Sequence, residues 1–298
     1  MRRLLHAAAK VTRRRGRPVK VWRRRLGQRL RGLTHGPLTP SRWVFVIGCY
    51  NSGTTLLTQL LDAHPALTAL PREGVELCDA LPRPEEVGWP RMWVECPSHV
   101  QIAAQGGARR AQRIRRQWAA YAAGADIVVE KSIANLARLP FLATHFQPAS
   151  FIYILRNGFA VAEGISRRAR PRDWGNPAVE RYSLTQCAQQ WVAADNELQR
   201  HRDALPHLLT LRYEDLCDAP TQTLAHIAGF LAIEPFAADL AERAWDVHRQ
   251  QAPIRNMNAD ALSRLTDADF TEIERVAGTA LKQRGYTRDP KSGRQLDG

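Results

Sequence analysis

Val44-Phe-Val-Ile-Gly-Cys-Tyr-Asn-Ser-Gly-Thr-Thr-Leu-Leu-Thr-Gln-Leu-Leu-Asp-Ala-His-Pro65 is the stretch around which the rest of the chain is organised. The apolar run from Trp43 to Ile47 reads as a strand buried on both faces, and Leu56, Leu57, Leu60 and Leu61 then recur at helical spacing until Pro65 stops them. Gly48 and Gly53, with four residues between them, place bare backbone N–H groups at the start of that helix. There the helix dipole and the unpaired amides favour an anion. Strand, glycine loop and helix in this order predict a phosphate cradle.

A P-loop NTPase would read G-x-x-x-x-G-K-S/T, its lysine reaching the β- and γ-phosphates and its hydroxyl holding magnesium. Gly48, Gly53 and Thr55 fit that pattern, but Thr54 stands where the lysine belongs. A loop without the lysine is poorly equipped to activate a γ-phosphate. It can still hold a 5′-phosphate through backbone amides and the hydroxyls of Ser52, Thr54 and Thr55. A nucleotide without a triphosphate is the better match.

At Ser52 to Leu57 the chain resembles the sulfotransferase family, which transfers the sulfuryl group of PAPS, an adenosine bearing a 3′-phosphate and a 5′-phosphosulfate. Leu-Asp-Ala-His-Pro at 61–65 extends the similarity to the branch acting on carbohydrates and protein tyrosines. The resemblance implies Asn51, Ser52, Gly53, Thr54 and Thr55 as donor-binding residues. It also exposes a departure: the residue before the serine is often basic in that family, whereas here it is Asn51, so another residue must supply any cation needed there.

Charge is distributed unevenly. Of the 43 Lys and Arg, 14 fall in residues 1–42, which contain no Asp or Glu, and the remaining 29 face 29 Asp and Glu in the body. The net charge of +14 therefore belongs to an N-terminal arm. In that arm Val19, Trp22, Leu26, Leu30 and Leu33 form one apolar stripe flanked by arginines, the pattern of a basic amphipathic helix. Docking on an anionic membrane face is one reading, and a solvated tail or a helix packed on the body is the other. Nucleic acid is disfavoured because Trp22 is the arm's only aromatic. The five cysteines form no C-x-x-C pair, which indicates neither a zinc site nor a disulfide framework. With no apolar run of about 20 residues and no secretory h-region, the expected location is cytoplasmic, with the inner membrane face as the site of any peripheral attachment.

Past the cradle, residues 66–107 are rich in Pro, Gly and Trp with little period, as in a functional loop folded over the mouth of a sheet. Glu73 in that segment is the candidate general base, since sulfuryl transfer to an alcohol or phenol requires removal of the hydroxyl proton. The family resemblance implies a glutamate at nearly this distance; the alternative is a turn cap or a partner for Arg72. A helix over 108–122 precedes the strand Asp126 to Val129, which ends in Glu130-Lys131-Ser132. Lys131 is the candidate for stabilising negative charge on the leaving oxygen, or else a surface partner of Glu130. A helix over Asn135 to His145 leads to the strand Phe151 to Leu155 and then Arg156.

A guanidinium suits a phosphate through its two-pronged geometry. The resemblance implies that Arg156 and the helix after it bind the nucleotide's 3′-phosphate, with a serine eight residues on. Position 164 is glycine, so either its backbone N–H or Ser166 takes that role, with Arg168 as the later basic residue. Trp174 falls in a loop expected to line the acceptor pocket. Tyr213, after the strand His207 to Leu211, is implied at the adenosine end, and Arg255 in the 250–258 loop at a phosphate. A helix at 221–233 and a last one from Asp267 to Gln283 complete the pattern.

Alternating strands and helices along 43–233 predict a three-layer, P-loop-like α/β domain with a mainly parallel sheet, extending over 43–298 behind the 1–42 arm. A PAPS-dependent sulfotransferase without a metal is the implied function, its acceptor a carbohydrate, glycolipid or tyrosine hydroxyl. The rivals are a P-loop kinase of small molecules and a non-catalytic scaffold tethered to a membrane.

Overall fold

The computed structural model describes residues 27–28, 34–205, 207–247 and 250–293. The predicted amphipathic stripe of the N-terminal arm lies outside these residues. Leu38, just before the sheet, is buried, and its N–H donates to the Arg115 carbonyl.

Five parallel strands form the central sheet: β1 (Arg42–Gly48), β2 (Leu67–Ala69), β3 (Ile127–Lys131), β4 (Ala149–Leu155) and β5 (Leu208–Arg212), in the spatial order β2-β3-β1-β4-β5. Alternation along β1 feeds two cores, as the period-2 geometry of a strand requires. Trp43, Phe45 and Ile47 join one core, whereas Val44 and Val46 join the other. The Val44 core is closed by α1 (Thr54–Asp62), through Leu56, Leu57, Leu60 and Leu61, and by Leu224, Ile227 and Leu231 of the later helix Pro220–Leu231.

The Trp43 core is covered by α2 (Ala108–Ala122), α3 (Leu139–His145), α4 (Gly158–Arg168) and α5 (Leu184–His201). The helix Pro220–Leu231 is α6, and α7 (Asp267–Gln283) adds Ile273 and Leu281 to the Trp43 side. Both faces of the sheet are thus layered with helices, as the sequence predicts. Trp191 of α5 is core, and its indole N–H donates to the Arg156 carbonyl at 3.0 Å.

Three local details differ from the sequence reading, one being that the 250–258 stretch expected as a loop begins with a short strand, Gln250–Ala252, paired antiparallel with Trp245–Val247. The 66–107 segment contains β2 and short helical turns, among them Gly74–Leu77; a three-residue strand is too short to show alternation. The predicted 135–145 helix is split into a 3-10 segment, Ile133–Arg138, and α3, with Pro140 in the first turn of the latter. Proline is tolerated there because the N–H it lacks would have no partner in the helix. All five cysteines are free and buried. Among the described residues no helix is long and apolar enough to cross a membrane.

The order of strands reverses beside β1, with β3 on one flank and β4 on the other. A crevice opens at the carboxyl ends of the strands at such a switch point, and ligands of open α/β sheets bind there.

Candidate active site

The crevice is a cavity of about 360 Å³, and the chain leaving each of the five strands contributes to its wall. The 49–53 turn follows β1, Glu73 follows β2, Lys131 ends β3, Arg156 follows β4 and Tyr213 follows β5.

The turn after β1 needs left-handed backbone twice, at Asn51 (φ 62°) and Gly53 (φ 92°). Asparagine tolerates this region better than most residues. At Gly53 a side chain is also sterically barred, since a Cβ would lie 2.5 Å from Cδ2 of Tyr213. Asn51, Gly53, Thr54 and Thr55 line the cavity, with the two threonines opening α1. The first-turn N–H groups of a helix lack intrahelical partners. Ser52 lies behind this wall; its hydroxyl and Nδ2 of Asn51 are buried with no partner among the described residues.

Glu73 is held from below by a buried network. The N–H of Gly74 donates to Glu130 Oε1 at 2.9 Å, that of Val75 donates to Ser132 Oγ at 3.1 Å, and the Trp118 indole donates to the Gly74 carbonyl at 3.0 Å. Glu130 also accepts from the Ser132 hydroxyl and from Asn135 Nδ2. Burial pushes its carboxyl up to about 7, opposed by these hydrogen bonds. With Glu130 so engaged, Lys131 turns to the cavity and pairs with Glu73, Nζ to Oε1 at 2.9 Å. Neither the Arg72 partner for Glu73 nor the Glu130 partner for Lys131 is present.

Arg156 ties the other flank together. Its Nη1 donates to the Asn51 carbonyl at 2.6 Å, its Nε to Asn258 Oδ1 at 2.8 Å, and its guanidinium lies 4.2 Å from the centre of the Tyr213 ring. Tyr213 is itself buried, its hydroxyl donating to the Arg255 carbonyl and accepting from the Met257 N–H, both at 3.1 Å. Arg255 lines the cavity and pairs with Asp260 at 3.0 Å. Arg168 also lines it; burial draws its guanidinium down to about 10, and the charges of Arg167, Arg91 and Arg156 act in the same direction.

Ser166, like Ser52, is a sequence candidate that does not line the cavity. Its hydroxyl donates to the Tyr182 carbonyl at 3.0 Å in a buried contact, because its position on α4 faces the 169–182 loop. Gly164 does line the cavity, but it lies inside α4, where the N–H belongs to the helical ladder, and the Asn51 side chain packs against it.

Arg91, Glu85 and Arg264 line the same cavity and were not among the sequence candidates. Burial raises the Glu85 carboxyl above its usual range. Arg264 and Arg167 both pair with Glu163 at 2.7 Å. No periodicity or motif marks these residues, since their segments reach the crevice only through folding. Trp174, expected at the pocket, lines it.

Residues 43–238 match the model of the sulfotransferase family, which is more than half of the chain, and the chain belongs to that family. Among curated proteins it is similar to Nodulation protein NoeE of Sinorhizobium fredii, 29% identical over 222 residues that cover 64% of this chain and 50% of that protein. The chain thus aligns with about half the length of that relative. Among solved structures it is similar to the sulfotransferase domain from the curacin biosynthetic pathway, with a TM-score of 0.50, 19% identity and coverage of 82% of this chain and 98% of that one. Sulfotransferase STF9 from Mycobacterium avium aligns with a TM-score of 0.54 and 14% identity, covering 88% of this chain and 81% of that one. At these identities the likeness establishes the P-loop-like three-layer α/β fold.

Proposed function

We propose that the protein is a sulfotransferase that moves the sulfuryl group of PAPS to an acceptor hydroxyl on a carbohydrate, a glycolipid or a tyrosine. The observation that carries this reading is the 2.6 Å hydrogen bond from Arg156 to the Asn51 carbonyl, which puts the lysine-free loop and the arginine after β4 on one cavity, together with Glu73 and Lys131. A nucleotide with phosphates at both 5′ and 3′ positions suits a wall that joins an amide-rich turn to a guanidinium. The buried, unpartnered Asn51 Nδ2, on the wall of the cavity, fits the same group as a donor in a loop that would receive an anion.

PAPS supplies an activated sulfuryl group when bound. Glu73 accepts the proton of the acceptor hydroxyl, and Lys131, within a hydrogen bond of it, offers its ammonium to the oxygen on which negative charge collects. Arg156, Arg168 and Arg255 hold the nucleotide, while Trp174 and the 66–107 segment border the acceptor. Residues 43–298 form the catalytic unit, and the basic arm attaches it to an anionic membrane face. Removing residues 1–42 should weaken binding to anionic liposomes, and unchanged binding would reject that attachment.

Thermal-shift ranking tests the donor reading. Adenosine 3′,5′-bisphosphate should stabilise the protein more than ATP with magnesium, and the opposite order would favour a kinase.

A further inference from the structure

We propose that Arg91 binds the sulfonate oxygens of the donor, supplying from the 66–107 segment the positive charge that Asn51 cannot, and that Asn51 aims it. This rests on the PAPS reading of the cavity.

The carbonyl side of the Asn51 amide faces Arg91: Nη1 of Arg91 donates to Asn51 Oδ1 at 3.2 Å, across 40 residues of chain. Both residues line the cavity, and both hold left-handed backbone, Asn51 at φ 62° and Arg91 at φ 61°. For asparagine this is common, but arginine in this region is unusual, and residues so held cluster at ligand-binding sites. The neighbouring glycine at 164 is what admits the Asn51 amide, because a Cβ there would sit 2.9 Å from Nδ2.

The other cations of the cavity are largely spoken for. Lys131 pairs with Glu73, Arg83 with Glu76, Arg264 with Glu163 and Arg255 with Asp260. Arg91 has no carboxylate within ion-pair distance among the described residues, so its charge is available to an anion. Arg91 lines the same cavity as Glu73 and Lys131. A donor with its 5′ end in the turn would come within reach of Arg91, whose guanidinium is bonded to Asn51 of that turn.

Calorimetric titration of the full-length protein with PAPS and with adenosine 3′,5′-bisphosphate tests the assignment, because the two differ only in the sulfuryl group. In Arg91→Ala the affinity for PAPS should fall about tenfold more than that for the bisphosphate, the size of one lost charge-assisted hydrogen bond. Adding Asn51→Lys to that variant should recover the PAPS preference, which a purely structural role for Arg91 would not allow. Equal losses for the two nucleotides, no loss for either, or no recovery would overturn the proposal. Should Arg91→Ala fail to fold, Arg91→Gln is read in the same way, since its amide keeps a donor toward Asn51 without the charge. A wild-type protein that binds neither nucleotide would refute the donor reading itself, whereas intact wild-type binding with an indifferent Arg91 refutes only this assignment.

Discussion

Lys131 and Glu73, 58 residues apart in the chain, meet at 2.9 Å on the wall of the cavity. One comes from the end of β3 and the other from the turn after β2, neighbouring strands in the sheet. An ammonium and a carboxylate therefore reach the cavity as a unit.

Replacing Glu73 with glutamine keeps its shape and a hydrogen-bonding oxygen for Lys131 but removes the basic site. Transfer of labelled sulfuryl from PAPS should fall by roughly 10²–10⁴, the usual contribution of a general base, with affinity for adenosine 3′,5′-bisphosphate retained. Turnover equal to wild type would remove Glu73 from the mechanism.

Arg156→Lys preserves the charge but not the fork. An ammonium cannot together bond Asn258 Oδ1 and the Asn51 carbonyl, cover the Tyr213 ring and grip a phosphate. Affinity for adenosine 3′,5′-bisphosphate should drop by about 1.5–3 kcal/mol, while that for adenosine 5′-monophosphate changes less. Calorimetry with the two ligands gives the difference, and equal losses would place Arg156 away from the 3′-phosphate.

Gly74→Ala tests how tightly the Glu73 turn is held. The new Cβ would stand 2.5 Å from Glu130 Oε1 and 2.6 Å from Cζ2 of the Trp118 indole, both buried. Overpacking of this kind costs about 1–3 kcal/mol and shifts the backbone. The denaturation midpoint should fall, and kcat should fall with it while nucleotide affinity holds. Unaltered stability would show that the network yields easily.

Glu130 makes stability depend on pH. Burial raises its carboxyl from the usual 4.5 to about 7 in the folded protein, so between those values the folded state holds a proton that the unfolded chain releases. Its contribution to stability therefore declines as pH rises from about 4.5 to about 7 and is level above, by at most on the order of 3 kcal/mol. Glu130→Gln mimics the protonated form, because the unpartnered Asn135 Oδ1 can accept from the introduced amide once the Asn135 side chain flips. Urea midpoints at pH 5 and pH 8 should differ more in wild type than in the variant. Equal differences would mean that Glu130 titrates in its ordinary range.

The cradle was legible because its information is local. A buried strand, two spaced glycines and a leucine-patterned helix are consecutive in the chain, and Asp267–Gln283 was likewise recognisable from its own period and first turn. Ser166 illustrates the limit: one helical step of 100° per residue decides whether a hydroxyl faces a cavity or a neighbouring loop, and the packing of α4 turned it toward Tyr182. Arg91 illustrates it further, as an arginine in an irregular segment with no motif around it.

By itself, then, the sequence determined the alternation of strands and helices, the loop that lacks a P-loop lysine, and the residues that end each strand, because local periodicity and backbone preference act over a few residues. Tertiary structure alone decided which of those ends meet across one crevice, that Lys131 turns to Glu73 while Glu130 is buried behind it, and that Arg91 comes to Asn51. Those outcomes depend on strand order and on competition among charged groups for space and partners, and neither is encoded within any single stretch of chain.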